Sequence, residues 1–158
     1  MKRSGPSYPK EEPPGIKRMT RSTAGEKEWK WQHYFSQLPD EVLDKIEMDE
    51  TALFSVTIDR DADVISQIVR SLIPDYALVC DATACVGGNT ISFAKVFRNV
   101  TSIEMDPGRF EMLKKNAGLA RVDNHINFVN MDFLRFKETM GTYDFIFFDP
   151  PYCTYYFH

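Results

Sequence analysis

Long hydrophobic runs are missing from this 158-residue chain: no stretch approaches the roughly 18–20 apolar residues needed to cross a bilayer. Met1-Lys2-Arg3-Ser4 leads into no apolar signal core, so neither a membrane partner nor secretion is expected. Cysteine is scarce. Cys80, Cys85 and Cys153 are odd in number and show no CxxC spacing, which argues against a disulfide framework and a metal site and for buried thiols in a reducing compartment. The dinucleotide fingerprint GxGxxG is absent as well, which removes the usual cradle for a pyrophosphate.

What is present is the composition of about one globular domain, 43% hydrophobic and 13% aromatic. The net charge of −4 hides an asymmetry, because residues 1–25 carry six Lys/Arg against two Glu. That segment is rich in proline and glycine and poor in apolar residues, and is expected to be a disordered basic tail. A basic arm on an acidic body suits loose attraction to nucleic acid, a solubilising tail, or an import patch at Lys17-Arg18-Met19-Thr20-Arg21.

Residues 26–73 read as an N-terminal helical extension. Trp29, Trp31, Tyr34 and Phe35 fall in a short helix and are expected to act as packing groups, since aromatic rings bury large areas. An amphipathic helix follows over about Ile58 to Ser71, with Thr57 as N-cap and Ile65, Ile68, Val69 and Leu72 on its inner face. From Pro74 the pattern becomes β-α-β-α-β-loop-β. Strands are expected at about Ala77–Asp81, Val100–Glu104, Ile126–Asn130 and Asp144–Phe148, the last buried on both faces. Helices are expected at about Gly88–Phe97 and from Asp106-Pro107 to Leu119, the latter opened by a capping aspartate and a proline at the first helical position. The fold class is α/β, the first half of an open doubly wound sheet of order 3-2-1-4, residues 74–158 reading as a domain truncated after its fourth strand.

Each strand ends in an acid: Asp81, Glu104, Asp132 and Asp149. Strand C-termini share one rim, so the four carboxylates are expected around one crevice. Gly87 and Gly88 would let the backbone approach a ligand. Glu104 falls where ribose hydroxyls are bound, and Asp132 is placed to accept from an adenine amine flanked by Met105 or Phe133. An aspartate beside a loop without phosphate donors suits a sulfonium and an ammonium better than a diphosphate, which points to S-adenosylmethionine. Asp149-Pro150-Pro151-Tyr152 fits methyl transfer to an aryl amine. The carboxylate and a proline-fixed carbonyl accept from the two N–H bonds and aim the lone pair, while the tyrosine stacks on the base.

Asp81-Ala82, Val86-Gly87-Gly88-Asn89-Thr90-Ile91, Phe93-Ala94, Phe54-Ser55-Val56-Thr57 and Trp31-Gln32-His33-Tyr34-Phe35-Ser36 together resemble the trimethylguanosine synthase family, over roughly residues 29–152. The resemblance implies a Rossmann-like class I S-adenosylmethionine-dependent methyltransferase acting on the exocyclic N2 of the 7-methylguanosine cap of small nuclear and nucleolar RNAs. It further implies a nuclear location, with the cytoplasm left open. It carries Thr57, Asp81, Gly87, Gly88, Glu104, Met105, Asp132 and Phe133 to the cofactor, and Asp149, Pro150, Pro151 and Tyr152 to catalysis. Cys85 stands where that family usually has the first loop glycine. Asp149 and Tyr152 replace the serine and tryptophan of Ser-Pro-Pro-Trp, as in enzymes that methylate internal guanine-N2 or adenine-N6. Those substrates, and an inactive truncated form, stay open as alternatives.

Overall fold

The computed structural model describes residues 16–138 and 141–150. Short helices α1 (Trp29–Tyr34), α2 (Asp40–Leu43) and α3 (Ala52–Ser55) precede the longer α4 (Asp59–Leu72). Then come β1 (Leu78–Asp81), α5 (Gly88–Val96), β2 (Asn99–Glu104), α6 (Pro107–Leu119), β3 (Ile126–Asn130), α7 (Phe133–Phe136) and β4 (Phe145–Phe147). The four strands are parallel in the order β3-β2-β1-β4, as the alternation of strand and helix predicts. The start of α6 is built as its sequence demands. The Asp106 carboxylate accepts from the Gly108 and Arg109 amides at 2.7 and 3.0 Å, and Pro107 follows it.

The main core lies between the sheet and α4–α6, where Phe93 and Phe97 are almost wholly buried and Phe93 meets Phe145 and Phe147 edge-on at 6.0 and 5.6 Å. Successive strand residues point to opposite faces, so Cys80, Ala82 and Ile103 form a smaller cluster on the other side with Val129, Phe133, Phe136 and Tyr143. The extension is part of the main core. Trp31, Leu43, Ile46, Met48 and Leu53 are fully buried, and the Trp31 indole donates to the Ile46 carbonyl at 2.9 Å. A half-buried ion pair fastens it to α6: Arg109 Nε donates to Asp49 Oδ2 at 2.9 Å, and Asp49 Oδ1 accepts from the Ala52 amide at 2.8 Å.

Several expectations are corrected. Within the expected disordered tail, residues 16–25 are folded: Met19 is buried and pairs with Met48 across two backbone hydrogen bonds of 2.8 and 3.0 Å, while residues 1–15 lie outside the described residues. Thr57 does not cap α4. Ile58 occupies the cap position, and the Thr57 hydroxyl is taken by Asn89 instead. The inner face of α4 is only partly the expected one: Val69 is buried and Ile65 packs against the core as expected. Ala62 and Ser66 are buried with them, Ser66 in hydroxyl contact with Ser92 of α5 at 2.8 Å, whereas Ile68 and Leu72 are exposed. Strand β4 is covered on one face only; Ile146 and Phe148 are exposed, and Phe148 meets only the tilted Phe133 ring at 5.5 Å among the described aromatics. Trp29, expected to pack, is exposed.

Candidate functional site

The site forms where β1 runs out into the loop 82–87. Asp81 ends the strand almost wholly buried, accepting from Thr90 Oγ1 at 2.6 Å. Thr90 in turn touches Ser102 Oγ at 2.8 Å, so the carboxylate ties β1, α5 and β2 together. Burial pushes the Asp81 carboxyl up to about 6, against the pull of the Thr90 and Thr83 hydrogen bonds and with Glu104 and Asp149 adding repulsion. Asp81 therefore lies beneath the loop, with its side chain away from the open surface.

The loop needs its glycines for internal reasons. Gly87 has φ +104°, a left-handed conformation that suits glycine, and a Cβ there would come within 2.9 Å of Leu113 Cδ1. A Cβ on Gly88 would meet Val56 Cγ1 at 3.0 Å and the Thr57 carbonyl at 3.2 Å. Gly88 thus admits the backbone of the 56–57 segment while also lining the cleft described below, and Gly87 turns the chain into α5. Cys85 sits at φ +52°, an uncommon conformation for a residue with a side chain. Its thiol lies 3.7 Å from the Ser55 hydroxyl, and burial pushes it up to about 12.

Glu104, at the tip of β2, is buried and accepts from the Cys85 amide at 2.9 Å and the Asp106 amide at 2.8 Å. Burial raises its pKa, and those two amides oppose the rise. Met105 beside it is exposed. Asp132 caps α7, accepting from the Leu134 amide at 2.9 Å, and Phe133 is half-buried beneath it. Beyond β4, the Asp149 amide donates to Thr83 Oγ1 at 3.0 Å, which joins the last strand tip to the loop of the first. Asp149 and Pro150 are exposed; Pro151 and Tyr152 lie outside the described residues.

Asp81, Glu104 and Asp149 therefore gather around one loop, while Asp132 stands one strand farther along the same rim. A narrow cleft opens beside the loop, walled by Ser55, Thr57, Thr83, Cys85, Asn89 and Asp149. Three of these were not singled out from sequence. Thr83 joins the two strand tips. Asn89 donates to Thr57 Oγ1 at 2.7 Å and leaves its own Oδ1 buried without a partner, and Ser55 faces Cys85. The signals were there: Asn89 lies inside the Val-Gly-Gly-Asn-Thr string and Ser55 inside Phe-Ser-Val-Thr. The cleft presents the Asp149 carboxylate and the unpartnered Asn89 Oδ1 as acceptors, beside the Ser55, Thr57 and Thr83 hydroxyls, which can donate or accept.

Residues 76–156 match the family described as RNA cap guanine-N2 methyltransferase. The chain is 34% identical over 110 residues to trimethylguanosine synthase of Schizosaccharomyces pombe, covering 66% of this chain and 45% of that protein. It is 27% identical over 143 residues to an uncharacterized protein of Acanthamoeba polyphaga mimivirus, covering 75% and 55%. The chain thus spans about half the length of these relatives. Among solved structures, the O-methyltransferase from Bacillus cereus in complex with SAH aligns with a TM-score of 0.54 at 16% identity, over 61% of this chain and 47% of that one. The SAM-dependent methyltransferase from Agrobacterium tumefaciens aligns at 0.50 and 18% identity, over 58% and 31%. These likenesses establish a Rossmann-like class I methyltransferase fold.

Proposed function

The chain belongs to the RNA cap guanine-N2 methyltransferase family, and from that premise we propose that its site takes S-adenosylmethionine as methyl donor and the exocyclic N2 amine of a guanine in RNA as acceptor. The 7-methylguanosine cap of small nuclear or nucleolar RNA is the substrate this reading favours, with the nucleus as its place of work. The observation that carries it is the Thr83–Asp149 hydrogen bond, which holds the glycine-loop tip and the Asp-Pro-Pro tip side by side. A donor bound at one and an amine presented at the other would be neighbours.

The donor supplies an electrophilic methyl carbon on a cationic sulfur. Thr57, Asn89 and the loop around Gly87 and Gly88 would hold its amino-acid end, with the Asp81 charge beneath them. Glu104 would face its ribose, and Asp132 its adenine, with Met105 or Phe133 flanking the ring. Each Glu104 oxygen already accepts one backbone amide, leaving lone pairs for ribose hydroxyls. Asp149 is free to accept from one amine N–H and the Pro150 carbonyl from the other, which would align the nitrogen lone pair and offset the positive charge developing there. Pro151 would stiffen the turn, and Tyr152 would stack on the guanine.

The test is transfer of labelled methyl from S-adenosylmethionine to matched RNAs with and without a 7-methylguanosine cap. Label on the cap guanine, lost in Asp149→Ala, is the expected result. Label confined to internal guanine or adenine would overturn the cap assignment, and no label on any RNA would overturn the methyl-transfer reading of this chain.

A further inference from the structure

The extension leaves aromatic rings in solvent although it has a core to bury them in. Trp31 is fully buried, yet Trp29, two residues earlier, is 57% exposed and Phe54 is 73% exposed. Isolated exposed rings are ordinary; these are grouped. The His33 ring lies 5.6 Å from Trp29. The Lys30 ammonium lies 4.3 Å from the Phe54 centroid and 5.8 Å from that of Trp29, and Lys27 is 5.9 Å from Phe54. The arrangement is held from below: Lys30 Nζ and Tyr34 Oη both donate to the Leu53 carbonyl, at 2.6 and 2.9 Å, which locks α1 to the turn that carries Phe54. Phe54 is followed by Ser55, a wall of the cleft.

We propose that Trp29, His33 and Phe54, with Lys27 and Lys30 set among them, form a stacking platform for a base of single-stranded RNA lying outside the methylation cleft. Flat, sequence-indifferent rings interleaved with ammonium groups are how proteins hold unpaired nucleotides: the rings take the base, and the cations attract the phosphates. Lys27 is held by Glu50 at 2.5 Å, so a phosphate would compete with that carboxylate and the rings carry most of the grip. The platform rests on the RNA reading above and adds a path to it. A strand whose guanine enters the cleft beside Ser55 would pass over Phe54 on its way out.

Tryptophan fluorescence reads this directly. The chain has two tryptophans, and Trp31 is fully buried, so quenching by a stacked base reports Trp29. The intact chain is titrated with a capped single-stranded decamer, with the cap nucleotide alone, and with S-adenosylhomocysteine. The decamer is expected to quench saturably, and Trp29→Phe to abolish the quench while anisotropy still records binding. Trp29→Ala and Phe54→Ala should each weaken the decamer about tenfold, as stacking of about 1–3 kcal/mol per base implies. The affinities for S-adenosylhomocysteine and the cap nucleotide should be unchanged. Both side chains are exposed, so circular dichroism of the variants should match the parent. A decamer that binds without quenching, alanine variants that bind it as well as the parent does, or no RNA binding at all would overturn the platform. If S-adenosylhomocysteine still binds in those cases, the platform alone has failed; loss of that binding in the parent would instead overturn the proposed function.

Discussion

Replacing Asp81 with asparagine should stabilise the protein in a way that depends on pH. Its carboxyl is wholly buried and raised from 3.8 to about 6. A carboxylate whose pKa is raised by folding contributes most below its unfolded pKa, and that contribution is lost as pH rises through the folded value. At pH 8 the folded chain therefore carries an ionised Asp81 at a cost of about 3 kcal/mol, from roughly two units at 1.36 kcal/mol each. Asparagine has the same shape, can accept from Thr90 Oγ1, and carries no charge at any pH. Asp81→Asn should match the parent, or fall slightly below it, near pH 4, and gain about 2–3 kcal/mol by pH 8, read from urea unfolding at half-unit pH steps with unchanged m-values. The same substitution should weaken S-adenosylhomocysteine binding by calorimetry if the buried charge serves a cationic ligand. A stability difference that is flat between pH 4 and 8 would refute the assignment of a strained, buried carboxylate.

Gly88→Ala should cost about 1–3 kcal/mol in thermal or urea unfolding, because its methyl would press on Val56 and the Thr57 carbonyl; it should also lower S-adenosylhomocysteine affinity by shifting the 56–57 segment. Trp31→Ala should destabilise by about 3–5 kcal/mol, since a fully buried indole that is bonded to Ile46 leaves a cavity and an unpaired carbonyl. Burial pushes both the Cys80 and the Cys85 thiol up to about 12. Peptide mapping after iodoacetamide at pH 7.5 should therefore find both unmodified in the folded protein and alkylated once urea unfolds it.

The α/β part was legible because its signals are local. The Asp106-Pro107 cap, the alternation of apolar runs with helical spacing, and an acid at each strand end fix elements and order without long-range information. What depended on tertiary contact was not. The inward face of α4 includes Ser66, hydrogen-bonded to Ser92, and Ala62, which hydropathy does not favour, while Ile68 and Leu72 are left outside it. That Gly88 also has to admit the 56–57 segment, more than thirty residues earlier in the chain, could not be read from the loop alone. Met19 reads as part of a polar tail until Met48 is known to lie beside it. The acidic tips of the candidate site were visible from sequence; Thr83 and Asn89, whose roles lie in what they bridge, were not.

Strands β1 and β4 are directly paired, Val79 with Phe145 through Asp81 with Phe147. The ladder spacing of about 4.8 Å consequently serves as a ruler between the tip that carries the glycine loop and the tip that carries Asp149. Substitutions in the loops can alter what each tip grasps, yet the gauge between them belongs to the backbone. Retuning the acceptor for a different amine would leave the distance over which a methyl group travels as it was.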